Sequence, residues 1–148
     1  MKTILDTLTR DGLISRINTL NGDSIAQWGK MNGYQVLKHC TLFDEMVQGK
    51  IKFKRAPLGY LFGKIALKSF IGDESPVRKN SPTIPGLLVT EKDGDVGAQK
   101  KQWIVLINAY ADFTNPAFTH SFFGKLTREQ AGQLAYKHID HHLRQFNS

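Results

Sequence analysis

Residues 127–146 read Thr-Arg-Glu-Gln-Ala-Gly-Gln-Leu-Ala-Tyr-Lys-His-Ile-Asp-His-His-Leu-Arg-Gln-Phe. Thr127 followed three residues later by Gln130 has the form of a capping box, which launches a helix by satisfying its first free N–H groups. Ala135, Ile139, Leu143 and Phe146 then recur at helical spacing and form one apolar arc. His142 lies at the edge of that arc and His138 a little further round. The two are four residues apart, so their rings stand on one side of the helix about one turn apart. His141 is turned about 100° from His142, away from the apolar arc. Gln145 extends the His138/His142 stripe.

Working back from this helix, the same periodicity predicts three more. Leu13, Ile14, Ile17 and Leu20 place one over about 7–20, stopped at Asn21-Gly22. Asn32 is a candidate N-cap for a second, running to Gln48 and ended by Gly49. A third should begin near Asp95, carry Trp103, Leu106, Ile107 and Tyr110 on one face, and end at Asn115-Pro116. The link between the second and third is roughly 45 residues, too long for a tight hairpin and long enough to cross the molecule. Within it, Leu58–Ile71 reads as a short amphipathic helix, and 72–86, with Pro76, Pro82 and Pro85, as an irregular loop. No run alternates with period two except Ile51-Lys52-Phe53-Lys54, too short to build a sheet. The expected fold class is all-α: a four-helix bundle with a long crossover between its second and third helices and a short extra helix in that crossover, in a single domain over 1–148.

Composition is ordinary for a globular chain, with 41% hydrophobic and 22% charged residues over 148 positions. One cysteine, Cys40, excludes an intrachain disulfide and a cysteine zinc cage. Asp6, Arg10 and Asp11 interrupt the N-terminus before any run long enough for a signal peptide, and no stretch approaches a membrane span, so a soluble, cytoplasmic protein is expected. The formal charge of +7 is spread along the chain without a nucleic-acid-binding signature. It reads as a solvated basic surface that would favour anionic small-molecule substrates, with no nucleic acid and no membrane partner.

Histidines carry the chemistry. With His39 set at zero on a helical wheel, Val36, Leu42, Phe43, Met46 and Val47 lie within roughly 80° and Gln35 within about 40°, whereas Lys38, Thr41, Asp44 and Glu45 fall outside. His39 is therefore central on a face that must be buried, where both ring nitrogens need partners. An i, i+4 histidine pair can reach one ion without bending the backbone, and a third imidazole from another helix completes a site with positions open for water or substrate. Spacing alone leaves the alternatives open: a hydrogen-bonded core His39, and a surface pair at His138 and His142. The H-E-x-x-H arrangement of zinc peptidases is absent.

The ending Tyr136-Lys137-His138-Ile139-Asp140-His141-His142-Leu143-Arg144-Gln145-Phe146 resembles the last helix of the DinB/YfiT-like superfamily of metalloenzymes. Trp28-Gly29-Lys30-Met31 leading to Leu37-Lys38-His39-Cys40, the loop Lys79-Asn80-Ser81-Pro82-Thr83, and His120-Ser121-Phe122-Phe123-Gly124 extend the resemblance over nearly the whole chain, toward a branch described only as a domain of unknown function. The resemblance implies a bundle with a long crossover, often a homodimer, binding zinc or nickel through His39, His138 and His142. It also implies, for several members, transferase or isomerase chemistry with a low-molecular-weight thiol; no activity of this branch carries over.

An ion held by three neutral imidazoles keeps its full charge and would acidify a bound water or thiol. Each ligand imidazole should donate its remaining N–H to an acceptor, for which Gln145, Gln35 or a backbone carbonyl is available. His120 lies either near the mouth of such a site or, more simply, in an exposed loop. Cys40, about 100° from His39, reads as packing. The Leu58–Ile71 segment either roofs the pocket, its glycines allowing close contact, or lies on a membrane surface with Lys64 and Lys68 toward headgroups. Two function classes result: a metal-dependent enzyme, and a non-catalytic bundle stabilised by its histidines.

Overall fold

The computed structural model describes residues 1–115 and 118–148, and it is mostly helical. Among the described residues there are five α-helices: α1 (Thr7–Thr19), α2 (Gly33–Val47), α3 (Pro57–Ile71), α4 (Val96–Ala109) and α5 (Arg128–Gln145). Two two-residue strands, β1 (Thr119–His120) and β2 (Gly124–Lys125), pair antiparallel with His120 opposite Gly124. This small hairpin escaped the period-two reading because two residues per strand offer no alternation to detect.

Side-chain caps set the helix starts. Asp6, Asn32, Asp95 and Thr127 each accept the backbone N–H of the third residue of α1, α2, α4 and α5. Asn32 with Gln35 and Thr127 with Gln130 form complete capping boxes. α4 gives way at Tyr110 to a short 3-10 turn, earlier than the expected stop at Asn115-Pro116; Pro116 lies outside the described residues.

α2 packs on both α4 and α5, and α1 on the same two helices. One core runs through Ile17, Leu37, Trp103, Ile107, Ile139 and Leu143, all fully buried. The position of α2 between two partners corrects the single-face reading of its wheel: Thr41 and Asp44, expected outside the buried arc, are 2% and 0% exposed. Both are satisfied there. Thr41 Oγ1 accepts from Gln99 Nε2 at 2.8 Å and donates to the Leu37 carbonyl, while Asp44 accepts from Trp103 Nε1 and from the Tyr110 hydroxyl, each at 2.7 Å.

α3 covers the expected Leu58–Ile71 with Pro57 added at its start, and at 15 residues it is as long as α2. It packs on α5 and β2 and buries Gly59, Gly63, Leu67 and Ile71. Leu58, Leu61, Phe62 and Ile65 remain exposed. Lys64 Nζ donates to the Lys125 carbonyl at 2.6 Å and ties α3 to the hairpin. Gly63 rides so close to the Phe122 carbonyl that a Cβ would overlap it. Gly63→Ala should therefore lower stability by about 2 kcal/mol. Gly12→Ala on α1, where a Cβ meets nothing, should raise it by about 1 kcal/mol through helix propensity. Urea unfolding of the two variants checks both signs.

No helix among the described residues is long and apolar enough to cross a membrane.

Candidate metal centre

α2 and α5 meet where His39 faces His138 and His142. One ring nitrogen from each of the three lies within 4.8 Å of the other two. His39 Nε2 and His138 Nε2 are 3.1 Å apart, and the ring centroids of both lie 4.7 Å from that of His142. The cluster is deep: His39 is 3% and His142 8% exposed, and Phe43 stacks flat on the His138 ring at 3.7 Å between centroids. Burial holds all three imidazoles below their ordinary pKa, His142 down to about 3 with help from His39. They are neutral rings at neutral pH.

Hydrogen bonds then dictate which nitrogen carries the proton. His39 Nδ1 lies 2.9 Å from the Leu87 carbonyl, which can only accept, so Nδ1 is protonated and Nε2 presents a lone pair. Gln145 makes the same argument for His142. Its amide nitrogen donates to the Trp28 carbonyl at 2.7 Å, which turns its Oε1 toward His142 Nδ1, 2.9 Å away. His142 Nδ1 is therefore the donor, and its Nε2 is free to ligate. Two of three imidazoles are thus locked in the tautomer that ligates through Nε2.

The spacing of the His39 and His138 nitrogens is near what a divalent ion would need, with the third nitrogen within 4.8 Å. Tetrahedral ligation at about 2.1 Å places ligand nitrogens about 3.4 Å apart, close to the 3.1 Å between His39 and His138. Without an ion, His138 Nε2 can donate to His39 Nε2; with one bound through Nε2, the proton would sit on Nδ1. The buried Nδ1 has no hydrogen-bond partner among the described residues in either state, so His138 lacks the acceptor expected beside each ligand imidazole.

The surroundings were partly hidden from sequence reading. Gln35, expected as an acceptor for a ligand imidazole, is used elsewhere: its Oε1 accepts from Asn32 N–H in the capping box, and its Nε2 donates to the Val89 carbonyl at 3.1 Å. The Leu87 carbonyl takes the expected role, from the 3-10 turn Pro85–Leu87 inside the long link. Lys137, buried on α5, holds an earlier part of that link by donating to the Asp73 and Ser75 carbonyls at 3.1 and 2.5 Å. Gly29, with φ of 79°, passes so near Gln145 that a Cβ would stand 2.6 Å from its amide nitrogen. A side chain at 29 would displace the residue that orients His142.

The three histidines border a cavity of about 270 Å³, shared with Trp28, Met31, Pro82 and His141. His141 is half-buried and packs against Trp28 at 5.7 Å between ring centroids. It therefore belongs to the cavity wall, although the wheel turned it away from the apolar arc. Cys40 is buried in the core, where burial raises its thiol pKa well above the ordinary value and makes it inert. His120 is not in an exposed loop, and it lines a cavity that also borders His138. It is 5% exposed, and its Nδ1 accepts from the N–H groups of Phe122 and Phe123 in the hairpin turn.

No curated protein and no solved structure matches the chain significantly. Over residues 2–148 it matches the model of the family described as "Protein of unknown function (DUF1569)", and it belongs to that family.

Proposed function

We propose that the chain binds one divalent metal ion through His39, His138 and His142, and that the centre serves an enzyme acting on a small molecule. The reaction class is the metal-dependent thiol transfer implied by the resemblance to the DinB/YfiT-like superfamily, on a four-helix bundle with a long crossover. One observation carries the metal reading: the Leu87 carbonyl and Gln145 Oε1 engage the Nδ1–H groups of His39 and His142, so their Nε2 lone pairs converge with His138 on one spot.

A divalent ion in that position, zinc or nickel on its imidazole donors, supplies Lewis acidity and lowers the pKa of a water or thiol beside it. The chain's own residues do the rest. Leu87 and Gln145 fix ring orientation, Phe43 covers one face of His138, and Trp28 and His141 wall the adjoining cavity. That cavity supports a catalytic role over a purely structural one, since a closed structural site keeps no open side.

Elemental analysis of protein purified without added metal tests the reading. The expected result is about one zinc or nickel per chain in the wild type, falling tenfold or more in His39→Ala and His138→Ala. Equal trace metal in all three preparations overturns it. Turnover of a low-molecular-weight thiol with electrophiles by the metal-loaded protein tests the reaction class; no turnover across the panel would leave the structural role.

A further inference from the structure

A second cavity, of about 520 Å³, also borders His138. The two share His138, Phe70, Leu87 and the loop residues Ser81, Pro82 and Thr83 as a common wall. The second is built differently. Phe43, Ala66, Ile84, Phe123 and Leu134 make it largely apolar, which is the composition of small-molecule pockets, where a few fixed polar groups set orientation.

His120 is such a group. Its Nδ1 accepts the N–H groups of Phe122 and Phe123 at 3.1 and 3.2 Å, so its proton resides on Nε2. Stacking on Phe123, 4.5 Å between centroids and 25° between planes, holds the ring still. Burial and the nearby Arg55 charge push its pKa to about 4, which keeps it a neutral donor at neutral pH. Among the described residues the Nε2–H has no partner, and the ring lines the apolar cavity.

We infer that this chamber binds the apolar part of the substrate, a small molecule carrying one hydrogen-bond acceptor such as a carbonyl, with His120 Nε2–H donating to that acceptor. The adjoining histidine-walled cavity takes the reacting end. The inference rests on the proposed metal centre only for that reacting end. Within the chamber, His120 is a specificity residue, and Ala66 on α3 limits the size of what can enter.

The test is a chemical-shift titration of the metal-free full chain with acetophenone, and with ethylbenzene as the same shape without the acceptor. Both should shift the backbone amides of residues 120–123. His120→Asn keeps an acceptor near the Nδ1 position for the turn but lacks the Nε2–H. It should weaken acetophenone about fivefold, the worth of one hydrogen bond, and leave ethylbenzene within about twofold. Ala66→Phe should weaken both by about tenfold or more by filling the space. Shifts confined to other regions, equal losses of the two ligands in His120→Asn, or unchanged affinity in Ala66→Phe overturn the inference. Metal content of Ala66→Phe should equal that of the wild type, so failure of the chamber and failure of the metal centre give different results.

Discussion

Replacing Asp44 by Ala is expected to cost about 4 kcal/mol, a large part of the stability of a domain this size. The carboxylate is fully buried between α2 and α4 and takes the Trp103 indole N–H and the Tyr110 hydroxyl, both themselves buried. Alanine leaves both donors without an acceptor and opens a small void. Asparagine should behave quite differently. Its Oδ1 can accept from Trp103 and its amide can donate to the Tyr110 oxygen, so Trp103 keeps its acceptor and the Tyr110 oxygen gains a donor, leaving fewer buried groups unpaired than alanine does.

Wild type and Asp44→Asn should also differ in pH dependence. Burial raises the Asp44 pKa from 3.8 to about 7, against the lowering effect of its two hydrogen bonds. The folded state therefore binds this proton more tightly than the unfolded chain does. The associated stability is fully present below about pH 4 and is lost as the pH rises through 7, by up to about 4 kcal/mol. Buried histidines with lowered pKa act in the opposite sense over part of the same range, losing stability as the pH falls below 6.5. The difference between wild type and Asp44→Asn isolates the carboxylate. Urea midpoints between pH 4 and 8 should converge with the variant's, or fall below them, as the pH rises. Parallel curves would mean that Asp44 is ionised throughout.

Zinc added to metal-free protein at 1,000 times its dissociation constant should stabilise it by about 4 kcal/mol, because a ligand that binds only the folded state shifts the equilibrium by mass action. His138→Ala should abolish most of that gain. Gln145→Leu should reduce zinc affinity by about 10- to 100-fold while leaving all three ligands in place, since it removes the acceptor that holds the His142 tautomer. Thermal unfolding with and without zinc reads the first effect, and competition with a chelator reads the second. An undiminished zinc affinity in Gln145→Leu would mean that His142 does not need that partner to ligate.

Much of the secondary structure was legible because it is specified locally. Thr127 with Gln130 and Asn32 with Gln35 each meet within one helical turn, so the sequence pattern and the hydrogen bonds coincide. α3 was legible to within one residue, Leu58–Ile71 expected against Pro57–Ile71 observed, despite Gly59 and Gly63. Those residues weaken helix propensity, and they are tolerated because the hairpin backbone packs where side chains would otherwise be. β1 and β2 had no local signature, since a two-residue pairing depends on the turn between them and on α3 beside it.

Local periodicity could place His39 on a buried face, and His138 and His142 on one stripe of another helix, because side-chain direction along a helix follows from 3.6 residues per turn. Partners contributed by distant chain were beyond its reach. Leu87 at His39, Trp28 at Gln145, and Trp103 and Tyr110 at Asp44 are separated by 48, 117, 59 and 66 positions. Only the packing of α2 against two helices, and the return of the long link over the histidines, brings them together. A wheel assigns each residue an angle, but burial at that angle depends on what the rest of the chain places there, and hydrogen bonding to those neighbours then decides which nitrogen bears the proton.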